Sequence, residues 1–269
     1  QWSIMAFKLL CLALALFCAV SAAPESRIVG GTPVTIQEFP YIAAFIYYYP
    51  RPNLTIQRCV GSIVSSYHVL STAYCFTGAE LANMLVSAGS TNSLSGGTEV
   101  GIQEVIVHPR YTASPRVADI AVAFLKTPLR ISDTINVLFI PSQGTFIPDG
   151  LETKIVSWGF ESEAGPQIDT LKTVNLRKLP LAECQAIYKD VEDLVINEDV
   201  ICASSPGRGL CTGDSGAPMV YESILLGISS YYKNCTTDDY PDVFTRIDSY
   251  TNWVIEVTST TSVRTADNL

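Results

Sequence analysis

The stretch Gly209-Leu210-Cys211-Thr212-Gly213-Asp214-Ser215-Gly216-Ala217-Pro218 packs together residue types that suit a turn aiming a hydroxyl at a substrate. Ser215 is the candidate nucleophile. Gly213 admits a turn conformation open to glycine and lets a substrate carbonyl approach the backbone amides of Gly213 and Ser215, a candidate oxyanion hole. Asp214 needs a partner. Gly, Asp, Ser and Pro also dominate surface turns that do no chemistry. A serine nucleophile further requires a base beside it and a group to orient that base.

The elements that must position such a turn are short. Between Tyr41 and Leu129 apolar runs alternate with turns: Tyr41 to Tyr49, Gly61 to Ser66, Met84 to Ala88, Gly101 to His108 and Ile120 to Leu125. Strands at this spacing, without long helical periodicity, predict an antiparallel barrel. Pro50 to Pro52 and Ser90 to Gly97 read as loops, and Thr127 to Ser142 as a linker crossing to a second barrel. The same rhythm returns in Lys154 to Trp158, Leu171 to Leu179, Val200 to Ala203, Pro218 to Tyr221, Ser223 to Tyr231 and Asp242 to Arg246. Pro180 to Tyr188 reads as helical, and Tyr250, Trp253, Val254 and Val257 approximate one helix face. Thr258 to Leu269 is expected to be a mobile tail.

The 269 residues suffice to bury a sizeable core, and the apolar fraction of 48% agrees with one. Residues 1–22 read as a secretory signal with upstream residues: Met5 as start, Lys8 as the positive flank, Leu9 to Val20 as the apolar run, and small residues to Ala22. The apolar run is too short to span a bilayer, which needs about 20 residues. Removing residues 1–27 takes away two cations, Lys8 and Arg27, and one anion, Glu25, so the net charge moves from -9 to -10. Such an acidic protein is not expected to bind nucleic acid. Of the 8 cysteines, Cys11 and Cys18 leave with the signal, and six in an export context imply three disulfides with fifteen possible pairings. Without a Cys-x-x-Cys pair, and with His68 and His108 far apart, no metal or cofactor is expected.

The Ser215 segment resembles the Gly-Asp-Ser-Gly-Gly-Pro nucleophile motif of the chymotrypsin- and trypsin-like serine proteases (peptidase S1). Four more segments match in family order: Arg27-Ile28-Val29-Gly30-Gly31, Leu70 to Cys75, Ala118-Asp119-Ile120-Ala121, and Ser157-Trp158-Gly159. The resemblance covers 28 to about 257. It implies an all-β fold of two antiparallel barrels, about 28–135 and 136–246, a C-terminal helix and a site in the cleft between them. It also implies disulfides Cys59–Cys75, Cys184–Cys202 and Cys211–Cys235, and a propeptide, 23–27, cut after Arg27 by a trypsin-like protease. The freed Ile28 amine would then pair with Asp214. Asp119 matches the aspartate that orients the base, and Ser230 the serine that hydrogen-bonds it. Where that family carries histidine, however, this chain has Tyr74. A phenol, with an ordinary pKa near 10, is a poor proton acceptor at neutral pH.

Three pocket positions also depart from the pattern. Gly209 stands at the base where a trypsin has aspartate, and Asp242 where glycine is usual, an arrangement that in some invertebrate digestive members accepts basic residues. Tyr232 replaces a glycine at the pocket mouth, where it either narrows the entrance or swings into solvent. Two functions follow. One is a secreted, monomeric protease homologue, impaired in turnover, that binds peptides, protease inhibitors or partner proteases. The other is an active secreted endopeptidase, if Tyr74 stands in for a histidine one base change away.

Overall fold

The computed structural model describes residues 30–160, 162, 169–235 and 239–266, with the side chains of 261–266 left aside. In chain order the strands are β1 (Thr32–Pro33), β2 (Ile42–Tyr49), β3 (Leu54–Ser65), β4 (His68–Ser71), β5 (Met84–Ala88), β6 (Thr98–Val107), β7 (Thr112–Ala113), β8 (Arg116–Val117) and β9 (Ala121–Leu125). Then come β10 (Glu152–Ser157), β11 (Lys172–Lys178), helix α1 (Leu181–Tyr188), β12 (Val200–Ser204), β13 (Pro218–Tyr221), β14 (Ile224–Tyr231), β15 (Asp242–Arg246) and helix α2 (Thr251–Ala266). The first barrel closes in the order β2-β3-β4-β9-β6-β5. The second runs β11-β10-β13-β14-β15-β12 and closes through β11–β12, with β1 added on β11. The fold is thus the two antiparallel barrels and C-terminal helix expected from the sequence.

The apolar runs are continuous because these strands face two cores. Side chains alternate across a strand. Ala43, Phe45 and Tyr47 of β2 enter the core of the first barrel with Val69, Val86 and Leu125. Ile42, Ala44 and Ile46 point the other way, into a core shared with Trp158, Ile155 and Phe244 of the second barrel. β9 divides likewise, Ala121 and Ala123 to one core and Val122 and Phe124 to the other. Fully burying a side chain such as Ile42 contributes roughly 1.5–3 kcal/mol, so the shared core holds the cleft walls together.

Two elements differ from the sequence expectation. β3 begins at Leu54 rather than Gly61, because hairpin pairing with β2 (Tyr49 with Leu54, Tyr47 with Ile56) extends through Thr55, Gln57 and Arg58, whose polar side chains break the apolar run. Helix α2 continues to Ala266, through most of the 258–269 segment expected to be a mobile tail. The signal, the propeptide and Ile28 lie outside the described residues.

Candidate active site

Ser215 follows a chain reversal that several groups clamp. Gly213 has φ 91° and Gly216 φ 83°, the left-handed region open to glycine. A Cβ on Gly216 would lie 2.1 Å from the Val60 carbonyl, so only glycine lets the turn press on β3. The Val60 amide donates to the Ser215 carbonyl (2.8 Å), and Gln57 Nε2 to the Gly213 carbonyl (2.8 Å). The Gln57 bond fixes the peptide between Gly213 and Asp214, and so anchors the turn immediately before Ser215. Disulfides Cys59–Cys75 and Cys211–Cys235 tie down the segments around it, while Cys184–Cys202 joins α1 to β12.

Asp214 points away from the cleft. Its carboxylate accepts from the amides of Gly159 (2.9 Å) and Cys211 (2.8 Å), and a Cβ on Gly159 would meet it at 2.0 Å. Burial raises its pKa to about 6 even though these amides and the Lys172 cation favour the charged form.

Asp119, two residues before β9, is buried at 2% exposure. Its Oδ1 accepts from the Tyr74 amide (2.8 Å), its Oδ2 from Ser230 Oγ (2.6 Å), and its own carbonyl from Thr245 Oγ1 (2.8 Å). Burial nevertheless holds its carboxyl above the usual carboxylate range. Tyr74 sits on a 3₁₀ turn, Ala73–Phe76, so its amide faces Asp119 while its ring, 44% exposed, enters the cleft. The cleft cavity, about 380 Å³, brings together Tyr74, Ser215, Gly213, Ser230 and Tyr232.

Neither histidine reaches this cavity. His68 is buried on β4, with Nδ1 2.7 Å from Ser65 Oγ and its ring edge-on to Phe124. His108 packs against Tyr250 and Trp253, and its Nδ1 accepts from the Arg110 amide. Burial lowers the pKa of both rings.

At the pocket, Asp242 lies directly beneath Gly209, whose added Cβ would be 2.9 Å from Oδ2. That oxygen accepts from the Leu210 amide (2.9 Å), and burial pushes the carboxyl up to about 8. Asp242 begins β15 and is therefore a buried strand residue. The Tyr232 hydroxyl lies 3.0 Å from Thr212 Oγ1, which ties the ring to the Ser215 loop at the cleft. Of the two positions open to Tyr232 on the sequence, this contact agrees with the one held against the cleft.

Sequence reasoning did not single out Arg116. Its Nη1 donates to the Ser230 carbonyl and lies 3.9 Å from Asp119 Oδ2. Its guanidinium stacks 4.4 Å from the Tyr74 ring centroid and 5.7 Å from that of Tyr231. The signal was a cation three residues before Asp119, visible only once the β7–β8 hairpin turns it back over the cleft.

Two closed barrels with a Gly-Asp-Ser-Gly turn and a buried aspartate converging on one cleft define a scaffold of the serine-hydrolase kind. A family model described as Trypsin matches residues 28–254, and the chain belongs to that trypsin family. It is 29% identical over 243 residues to Trypsin, alkaline C, of Manduca sexta, covering 88% of this chain and 94% of that one. It is 30% identical to Trypsin delta of Drosophila erecta over 238 residues, 86% of this chain and 88% of that one. The fold is similar to the crystal structure of the scabies mite inactivated protease paralogue S-D1, with a TM-score of 0.78 at 23% identity, over 87% of this chain and 98% of that one.

Proposed function

We propose that the chain is a secreted trypsin-like serine protease homologue, impaired in turnover, that acts by binding peptides, protease inhibitors or partner proteases. The supporting observation is the side chain between Asp119 and the Ser215 cleft: a phenol, Tyr74, with both histidines buried elsewhere. Ser215 keeps a candidate oxyanion hole in its own amide and that of Gly213, but no imidazole among the described residues can take its proton. Where the base of an equivalent triad has been removed on an unrelated fold, kcat falls by about 10⁶-fold. The Arg27–Ile28 junction is the processing site, and Asp214 the group that receives the new amine. With Tyr232 bonded to Thr212 at the cleft, a basic group is expected to reach Asp242 poorly.

The test is hydrolysis of a peptide ester by protein cut after Arg27, the cut verified by N-terminal sequencing from Ile28. The expected result is a rate no higher than that of the Ser215→Ala variant. A trypsin-like rate absent from Ser215→Ala would make the chain an active endopeptidase.

A further inference from the structure

The cleft that the sequence marks for basic residues is cationic. Arg58, on β3, lines the same cavity as Arg116. Its guanidinium is fixed by neutral groups: Nε donates to the Cys75 carbonyl (2.9 Å), Nη1 to the Tyr49 hydroxyl (3.1 Å) and Nη2 to the Thr77 carbonyl (3.0 Å), with the Tyr47 ring 5.3 Å away. Among the described residues no carboxylate lies within 4 Å of Arg58, so its charge is held in place and uncompensated. Arg116 is equally fixed, by the Ser230 carbonyl and two tyrosine rings. Asp119, the one carboxylate within 4 Å of its guanidinium among the described residues, already accepts two shorter hydrogen bonds, and Arg116 Nε is buried without an acceptor among the described residues. No carboxylate among the described residues lines the cavity, and Asp242 is buried against Gly209, outside that lining.

We propose that the cleft receives an acidic side chain of an extended peptide segment, recognised by Arg116 and Arg58. This rests on the reading of the cleft as a binding site. Two guanidiniums pre-oriented by neutral acceptors and aromatic faces offer their remaining N–H groups at little entropic cost, and a carboxylate matches that donor geometry. At long range the net charge of -9 repels an acidic peptide, so a preference for one must arise locally.

Fluorescence anisotropy with dye-labelled hexaglutamate and hexalysine tests this on the full chain, with ester hydrolysis measured in parallel. Hexaglutamate is expected to bind, and to bind about five- to tenfold more weakly to Arg116→Gln and to Arg58→Gln. The same change at Arg177, paired with Glu152 outside the cleft, should have no effect. If the variants fold poorly, the Arg Nε–H resonances of the unmodified protein should shift on titration with hexaglutamate and not with hexalysine. Tighter binding of hexalysine, acid binding indifferent to both arginines, or binding of neither peptide overturns the proposal. Ester turnover together with arginine-dependent hexaglutamate binding would overturn the impaired-protease reading and leave the acid preference standing.

Discussion

Tyr74, Asp119 and Arg116 form one electrostatic unit. A histidine at 74 would draw on Asp119 for orientation and for stabilisation of its cation, but Arg116 already lies 3.9 Å from Oδ2 and stacks on the ring at 74. Sequence alone expects Tyr74→His to restore labelling of Ser215. With Arg116 in place, the new imidazole meets a neighbouring cation that disfavours its protonation. Tyr74→His combined with Arg116→Leu is therefore expected to react with a fluorophosphonate at least about tenfold faster than Tyr74→His alone. Equal rates would remove Arg116 from the account. Asp242 carries a second prediction. Its folded carboxyl titrates near 8, well above about 3.9 in the unfolded chain, so the folded state holds a proton that the unfolded state has released. Its contribution is fully present below pH 4 and is lost as pH rises towards 8, at up to about 1.4 kcal/mol per unit. Asp242→Asn keeps an acceptor for the Leu210 amide and should flatten that part of the urea-unfolding profile between pH 5 and 8. An unchanged slope would mean that the acid is ionised in the folded state.

Among the elements, the strands with apolar runs were readable because each faces a core on both sides, as β2 and β9 do. The first half of β3 was not, since Leu54 to Arg58 are held by pairing with β2 while Thr55, Gln57 and Arg58 interrupt any apolar run. In the nucleophile turn the roles of Gly213 and Ser215 were readable from residue type, whereas that of Gly216 depends on the Val60 carbonyl 2.1 Å from its absent Cβ, a contact across 156 residues of chain. The end of β14 and the segment after it decide the pocket. There the Tyr232 hydroxyl reaches Thr212 beside the Ser215 cleft, and Asp242 is buried against Gly209. Calorimetry should detect no benzamidine binding to the unmodified protein and clear binding to Tyr232→Gly, stronger at pH 9 than at pH 7 because Asp242 must ionise to receive an amidinium. Binding to the unmodified protein at either pH would show that the ring does not close the mouth.

For the whole molecule, the matched segments announced two barrels, and the cleft residues named in advance, Tyr74, Gly213, Ser215, Ser230 and Tyr232, do line one cavity. The cationic character of that cavity could not be read along the chain. It depends on Arg58 and Arg116, 58 residues apart, being brought together when the first barrel closes and the β7–β8 hairpin folds over the cleft. The same assembly removes both histidines from the chemistry, burying one in β4 and the other beneath helix α2. The central claim is that this scaffold retains a nucleophile position without a base. It is tested most directly by exposing protein cut after Arg27 to a fluorophosphonate and reading Ser215 by intact and peptide mass. The account predicts no adduct beyond that on Ser215→Ala. Stoichiometric modification of Ser215 in the unmodified sequence would contradict it.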